Sequence, residues 1–314
     1  MKLFNVKHCI KQCLMTLILV CVSHSVSARD LEEVKKAGVL RHLGIPYANF
    51  VFRFSEDDQV SYSGLDIELM QGFAKYIGVD YQFIAANWGN VFGKLTGQHG
   101  KFINHQVKLG HRQEIEGDVM AHGVTILDWR QQLVDFSDDY FPSTVWLVAK
   151  TYSDLTPITP TGLLKSDIVK VKGMLCGKNV LAMKQSCLDP DLYNLHESKV
   201  NIIWPTQELQ LNEMVPAMLN GEAEATLLDL ADSLIALQKW PNQIKVIGPI
   251  SEEQRMGVGF RKNSPKLRQA FNDYLQQIRR DGTYLALVEK YYPSVFNYYE
   301  NYFESVIEKS NNEH

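Results

Sequence analysis

Apolar runs of strand length alternate with amphipathic helical segments along most of this sequence, and this alternation constrains the fold more than any other feature. The run VLRHLGI is followed by GLDIELMQGFAKYIG, in which apolar residues recur at helical spacing until Gly78. VDYQFIAA then predicts a strand, and NWGNVFGKLTG predicts a short helix that begins at Asn87 and ends at Gly97. Strands that alternate with helices in this way predict an α/β fold with parallel pairing in the sheet.

The second half of the chain repeats this order. VNIIWP and EATLLD predict strands, LADSLIALQKW predicts a helix, and IKVIGPI and RMGVGFRK predict further strands. The segment SPKLRQAFNDYLQQIRRDGTYLALVEKYYP predicts two closing helices that are separated near Asp281 and Gly282. Two similar α/β units, followed by a return to helices, indicate two lobes rather than one long sheet.

A polar segment at residues 98–116 interrupts the alternation and predicts an exposed loop or hairpin. It contains His99, His105 and His111, and imidazole is a common metal ligand. No HxH or HxxxH spacing and no nearby cysteine accompany these histidines, so we expect no metal site.

Residues 1–28 have the pattern of a secretory signal peptide. Three lysines precede the apolar run CLMTLILVCV, and small residues then lead to Ala28, after which we expect cleavage. A lipid anchor through Cys21 is the weaker alternative, because Val20 stands where such a site requires a small residue. No later segment approaches 18 uninterrupted apolar residues, so we expect an exported protein in the periplasm.

Charge and motifs exclude several functional classes. The net charge of −4 becomes more acidic once the lysine-bearing leader is removed, which argues against nucleic-acid binding and provides no polybasic patch for a membrane. The sequence has no GxSxG, GxGxxG, HExxH, CxxC or phosphate-binding loop, and no pair of carboxylates is spaced as an acid and a base. We therefore expect neither a cofactor nor catalytic residues.

Cys176 and Cys187 are the cysteines that follow the predicted leader. An oxidising compartment permits a disulfide between them. The intervening VLAMK predicts a strand that would keep the two Cα atoms too far apart, unless the chain doubles back.

Polar residues that follow predicted strands favour a binding site. In open α/β sheets, ligands bind at the carboxyl ends of the strands and near helix N-termini. The residues at such places are Thr125, Arg130, the run Gln185-Ser186-Cys187, and Asp229, and the aromatic residues in nearby loops are Tyr47, Phe50, Phe52 and Trp88. An arginine fork, hydroxyls, one carboxylate and aromatic rings together suit a small zwitterion with an apolar part.

Four segments in order resemble the family 3 periplasmic solute-binding proteins, the polar amino-acid-binding components of ABC importers. GLDIELMQGFAKYIGV is similar to the family's Gly-Phe-Asp-Val-Asp-Leu helix entry, and GVTILDWRQQLVDFSDDYF to its Gly-Met-Thr-Ile-Thr-x-x-Arg segment. NGEAEATLLDLADSLIAL and the closing helices resemble the two later segments. The resemblance extends from about residue 34 to residue 293.

The resemblance implies roles for individual residues. Arg130 would bind the α-carboxylate of a ligand with help from Thr125, and Asp229 would bind the α-amino group. The other residues implied to contact or line the ligand are Gly123, Ser186, Trp88, and at least one of Tyr47, Phe50 and Phe52. Structural alternatives remain: Arg130 caps the following turn or pairs with Asp135, Asp229 is the N-cap of the following helix, and the aromatic residues belong to the core.

The family fold implies two lobes joined by two strand crossovers, near residues 143–149 and 246–259. Lobe 1 would contain residues 29–142 and 248–314, and lobe 2 residues 143–247. The implied protein is a non-enzymatic monomer that captures an amino-acid-like solute and presents it to a membrane ABC permease. The alternatives on the same fold are an enzyme similar to the cyclohexadienyl dehydratases and a sensory protein without transport. Too little chain follows the closing helices for the catalytic domain of a lytic transglycosylase.

Overall fold

Two five-stranded sheets organise the protein. The computed structural model describes residues 29–56, 59–205, 209 and 211–312, so the predicted signal peptide lies outside the described residues. The strands are β1 Val39–Gly44, β2 Phe52–Glu56, β3 Gln59–Ser63, β4 Asp80–Ala85, β5 Gln98–Ile103, β6 Gln106–Arg112, β7 Val119–Met120, β8 Asp135–Phe136, β9 Phe141–Ser143, β10 Val145–Lys150, β11 Asn179–Leu181, β12 Asn201–Ile203, β13 Ala225–Asp229, β14 Ile244–Pro249, β15 Gln254–Met256 and β16 Gly259–Phe260.

Helices cover both sheets. The α-helices are α1 Leu31–Ala37, α2 Leu65–Ile77, α3 Val91–Thr96, α4 Asp128–Gln131, α5 Leu164–Gly173, α6 Met214–Leu219, α7 Leu230–Lys239, α8 Pro265–Arg280, α9 Thr283–Tyr291 and α10 Phe296–Asn312. Short 3-10 turns occupy Pro190–Tyr193, Leu195–Ser198, Leu211–Glu213 and Pro293–Val295. Within the described residues, no helix combines the length and apolar character needed to cross a membrane.

The first sheet has the strand order β4-β1-β7-β16-β8. Strand β1 pairs in parallel with β4 and β7, whereas β16 pairs antiparallel with β7 and β8. Helix α2 packs on this sheet through the buried residues Leu69, Met70 and Phe73. The helix ends where Gly78 adopts a left-handed conformation with φ of 76°, which glycine tolerates without strain.

The second sheet has the order β12-β11-β13-β10-β14. Strand β11 pairs in parallel with β12 and β13, and β10 pairs antiparallel with β13 and β14. All five residues of β13 are buried, as expected for a central strand covered on both faces. This arrangement confirms the predicted α/β class with one sheet in each lobe.

The chain passes between the two sheets twice. The crossing segments pair with each other as β9 and β15, in which Pro142 opposes Arg255. Helix α10 packs against both crossings: the hydroxyls of Tyr299 and Thr144 lie 2.6 Å apart, and the Arg255 guanidinium lies 4.9 Å from the ring centroid of Tyr302. The final helix therefore contacts the connection between the sheets.

A buried ionic cluster ties the N-terminal segment to the first sheet. The carboxylate of Asp118 is fully buried, and Arg29, Arg41 and Arg261 each place a nitrogen within 3.0–3.6 Å of it. Arg41 binds in two-pronged fashion, through Nε at 3.2 Å and Nη2 at 3.0 Å. Burial lowers the pKa of Arg261, and Asp118 opposes that shift. The negative charge of one carboxylate thus interacts with three guanidinium groups.

The polar segment at residues 98–116 contains a β-hairpin, as predicted. Strands β5 and β6 pair antiparallel, and a two-residue turn joins Ile103 to Gln106. The turn residues Asn104 and His105 both have positive φ, which matches the twist of a tight hairpin. No group of three or more potential metal ligands occurs in the described part of the chain.

Three details of the elements differ from the sequence predictions. Helix α3 is capped by Asn90 rather than by Asn87. The predicted strand RMGVGFRK is split between β15 and β16, which belong to different sheets, because the chain leaves the crossover there. Helix α10 was not predicted from the sequence. The cysteines Cys176 and Cys187 are both free thiols.

Candidate functional site

Arg130 is a fully buried cation whose guanidinium is only partly satisfied. It lies on the short helix α4, and its Nη1 donates to the backbone carbonyl of Thr125 at 2.9 Å. Its Nε and Nη2 atoms have no hydrogen-bond partner, and the residue is fully buried. The guanidinium carbon lies 5.2 Å from the ring of Trp88 and 5.3 Å from that of Trp129. The predicted alternative, an ion pair with Asp135, is absent from the described contacts of Arg130.

Burial dominates the electrostatics of this arginine. It lowers the pKa of the Arg130 guanidinium to about 10, while Cys187 and Tyr193 act in the opposite direction. The guanidinium therefore remains charged at neutral pH. Neutral aromatic faces compensate part of the cost of burying it, but two donor groups still point to no acceptor.

Asp229 approaches the same region from the second lobe. It ends β13 and caps helix α7, and its Oδ1 accepts from the backbone N–H of Asp232 at 3.1 Å. This confirms the N-cap role that was one of the two predicted roles. The thiol of Cys187 donates to Asp229 Oδ2 at 3.6 Å. Burial raises the pKa of Asp229 to about 7.

Cys187 connects the two charged residues. Its buried thiol contacts Asp229 and also interacts electrostatically with Arg130. Burial raises the pKa of Cys187 to about 11, although Arg130 lowers it in part, so the thiol is protonated and a weak nucleophile. Arg130 of the first lobe and Asp229 of the second therefore converge on one junction between the lobes.

Further polar atoms without partners surround Arg130. The indole nitrogens of Trp88 and Trp129 are buried and make no hydrogen bond within the protein. His122 contacts the Trp88 ring edge-on, at 5.2 Å between centroids. Burial, and then the charge of Arg130, hold the pKa of His122 well below its usual value, so this imidazole is neutral. Buried polar atoms usually have a hydrogen-bond partner. The unpaired donors around Arg130 therefore indicate a place where a polar ligand binds.

The three loop aromatics occupy different environments. Tyr47 stacks on Phe50 with 5.7 Å between centroids, and its buried hydroxyl has no partner. Phe50 packs in the core, 5.1 Å from Phe141 and 5.0 Å from Tyr292. Phe52 is 37% exposed. These residues do not form one aromatic box.

Gly123 and Ser186 use their polar groups within the protein. The Gly123 amide donates to Asp66 Oδ2 at 2.7 Å, and a Cβ at this position would lie 2.4 Å from the Phe50 ring. The Ser186 hydroxyl donates to Met183 and accepts from Leu188, which stabilises the turn after β11. Ligand contact by these two residues stays a prediction.

The hairpin contacts the second lobe directly. Gln185 accepts from the backbone N–H of Phe102 at 2.9 Å and donates to the carbonyl of the same residue at 2.6 Å. We call this pair of hydrogen bonds the clasp. The ring of Phe102 stacks on Trp129, with centroids 5.7 Å apart and an interplanar angle of 21°. The clasp therefore lies next to the aromatic surroundings of Arg130.

Sequence reasoning did not identify Trp129 and His122 as parts of this junction, nor the partner of Gln185. Trp129 adjoins Arg130 in the sequence, and His122 lies directly before Gly123, so proximity to the predicted segment was an available signal. The Gln185 side chain gave no such signal, because its partner is 83 residues away in the chain.

Comparison with known proteins agrees with this architecture. Residues 103–294 match the family model of the bacterial extracellular solute-binding proteins, family 3. The L-cystine-binding protein TcyJ of Escherichia coli K12 is 26% identical over 292 residues, which cover 91% of this chain and 96% of that protein.

One further sequence relative and one solved structure are also similar to this chain. The membrane-bound lytic murein transglycosylase F of Desulfosudis oleivorans is 24% identical over 269 residues, which cover 86% of this chain and 52% of that protein. This chain thus spans about half the length of that relative. A crystal structure of a mutant arginine-binding protein from T. maritima superposes with a TM-score of 0.64 and 21% identity, covering 84% of this chain and 99% of that one.

The family model spans more than half of the sequence, and the fold has the two-lobe architecture of type II periplasmic binding proteins. This chain belongs to the bacterial extracellular solute-binding proteins, family 3.

Proposed function

We propose that this protein is an exported receptor that encloses a small amino-acid-like carboxylate between its two lobes and delivers it to an ABC-type transporter. The lobes in this proposal are residues 29–142 with 248–314, and residues 143–247. The protein acts in the periplasm as a monomer and carries out no chemistry. Because one relative is a transglycosylase, the absence of catalysis stays a prediction.

The observation that carries the proposal is the unpaired Nε and Nη2 of Arg130. A buried charge without its hydrogen bonds costs several kcal/mol, so a protein keeps such a group where a partner arrives from outside. A carboxylate matches the two adjacent N–H groups of a guanidinium in a two-pronged contact, which a single oxygen does not. The backbone carbonyl of Thr125 already accepts from the third nitrogen, Nη1.

Asp229 provides the complementary charge. A ligand ammonium at Asp229 would replace the weak thiol contact from Cys187 and would favour the ionised carboxylate, although burial alone raises its pKa to about 7. A zwitterion then makes one ion pair with each lobe only when the lobes are closed. This difference in affinity between open and closed forms is what drives closure.

The relatives support amino acids as the ligand class. Proteins named as binding L-cystine, and lysine, arginine and ornithine, align with most of this chain. We extend the amino-acid class to this protein and leave the side chain open, because Tyr47, Trp88 and Trp129 accept many side chains. Transport as the outcome is part of the proposal, which is supported by two proteins of the same fold that are described as substrate-binding proteins of amino acid ABC transporters.

The proposal is tested by calorimetry of the refolded, ligand-free chain against the twenty amino acids, cystine, ornithine and simple carboxylates. We expect binding of at least one α-amino acid, and much weaker binding of its amide and of its des-amino acid. Binding only of compounds that lack a carboxylate would overturn the proposal. Formation of an aromatic product from prephenate or arogenate would instead favour the enzymatic alternative.

The clasp predicts how fast a ligand is released. Replacing Gln185 by Met keeps the length of the side chain but removes both hydrogen bonds to Phe102. Because each net hydrogen bond contributes about 1 kcal/mol, we expect ligand dissociation to become roughly tenfold or more faster. Stopped-flow displacement measures this rate.

The neighbouring Lys184 supplies a matched control. Its side chain is exposed and its ammonium lies 4.4 Å from the ring of Trp204, away from the hairpin. Lys184→Met should leave the dissociation rate unchanged. Equal dissociation rates for Gln185→Met and the unmodified protein would show that the clasp does not hold the lobes together.

A further inference from the structure

A cavity lies between the lobes beside helix α7, and Arg130 is not among the residues that line it. Its volume is about 190 Å³. The first lobe contributes Ala48, Asn49 and Phe52, and the second contributes residues of α6, α7 and the turn before α6. The walls include Val215, Leu228, Ile235, Ala236 and Trp240. The cavity thus has apolar walls with polar residues among them, and it is formed by both lobes together.

One buried carboxylate faces this apolar space. Asp232 lines the cavity, is 5% exposed, and its Oδ2 atom has no hydrogen-bond partner. It lies in the first turn of α7, where its backbone N–H is already used by Asp229. Asp232 makes no ion pair among the described residues, whereas Lys239 at the rim places its ammonium 4.8 Å from the ring of Trp240.

A structural role does not account for this carboxylate. The capping of α7 is performed by Asp229, so Asp232 is not needed as a cap. An unpaired polar oxygen in an apolar wall lowers stability, and an apolar residue of similar size would avoid that penalty. The combination of a cavity, apolar walls and one unmatched acceptor is typical of a small-molecule site.

We propose that this cavity is a second binding site, which takes a small organic amine and pairs its ammonium group with Asp232. The apolar body of the amine lies against Val215, Ile235 and Trp240. Because Phe52 and Asn49 come from the other lobe, an amine bound here favours the closed arrangement of the lobes. In that respect the proposal rests on lobe closure, and the amine site interacts with the charge of Asp229 at the main junction, although Arg130 itself does not line the cavity.

The charges around Asp232 determine how binding depends on pH. Burial, and then the neighbouring Asp229, raise the pKa of Asp232 well above its usual value, and Cys187, Tyr292 and Lys239 are further titratable groups that face this region. An ammonium ion stabilises the ionised carboxylate, so binding expels a proton from the pair of aspartates. Affinity for the amine therefore rises as the pH increases from acidic to neutral.

The test uses benzylamine as the probe and benzyl alcohol and phenylacetate as matched neutral and anionic compounds, with the full chain free of other ligands. We expect benzylamine to bind at least tenfold more tightly than either compound, with proton release detected by calorimetry in buffers of different ionisation enthalpy. Asp232→Asn should reduce this affinity at least tenfold, and Ala236→Leu, which fills the cavity, should do the same.

The control is Asp167→Asn, which alters a buried aspartate of the same lobe that already binds Thr161. It should bind benzylamine normally. Equal binding of benzyl alcohol, or unchanged affinity in Asp232→Asn, would overturn the proposal. Loss of benzylamine binding in Arg130→Met would assign the amine to the main junction and overturn the second site, whereas failure of amino-acid binding alone would affect the proposed function and leave this site standing.

Discussion

We expect Arg130→Met to weaken amino-acid binding strongly. Methionine fills a similar volume between Trp88 and Trp129 but supplies no charge and no N–H group. Loss of one partner of a buried, hydrogen-bonded charge pair costs about 2–5 kcal/mol, and each 1.4 kcal/mol is tenfold in affinity. Calorimetry with the amino acid found in the ligand panel should therefore show affinity reduced by about 30-fold or more.

Two variants make this result specific. Arg112→Met removes an exposed arginine of the hairpin and should leave the affinity unchanged. Arg130→Lys keeps the charge but loses the two-pronged geometry, so it should recover only part of the affinity. Undiminished affinity in Arg130→Met would mean that the unpaired guanidinium does not contact the ligand. The variant should remain folded, because it replaces an incompletely satisfied buried charge with an apolar side chain.

The second large effect concerns stability rather than binding. Asp118→Asn removes the negative charge that Arg29, Arg41 and Arg261 share. Breaking a buried ion pair by removing one partner costs about 3–5 kcal/mol, since the remaining charge stays buried without compensation. We expect the free energy of unfolding in urea to fall by about that amount, which is a large fraction of the stability of an ordinary domain.

An exposed ion pair provides the comparison. Asp154 contacts Lys178 at 2.5 Å, but its side chain is 71% exposed. Asp154→Asn should leave the midpoint of unfolding almost unchanged, because solvent screens such pairs. If the two aspartate variants lost equal stability, burial would not be the source of the effect at Asp118.

The sequence predicted most regular elements because their signals are local. The helical spacing before Gly78 and the apolar runs of β1 and β13 depend only on neighbouring residues, and the structure contains them where they were expected. The predicted hairpin followed from an interruption of the alternation. The convergence of Arg130 and Asp229 followed from the rule that ligands meet the carboxyl ends of strands.

The remaining features depend on contacts between distant parts of the chain. Phe50 is buried and Phe52 is partly exposed. The sequence did not predict this difference, because a segment without regular periodicity gives no signal of which ring points inward. The Phe102–Gln185 pairing and the Asp118 cluster join residues far apart in the sequence, so no local pattern indicates them. Helix α10 lies beyond the closing helices that the sequence analysis considered, and it departs from helical geometry at Tyr299.

The contact between α10 and the crossover region provides an intrinsic fluorescent probe of lobe movement. Trp146 follows the first crossing, and its ring lies 6.2 Å from that of Tyr298 on α10. Any rotation of one sheet relative to the other changes the surroundings of this indole. The difference in intrinsic emission between this protein and its Trp146→Phe variant would then report opening and closing without a dye attached near the ligand, and it leaves Trp88 and Trp129 beside Arg130 in place.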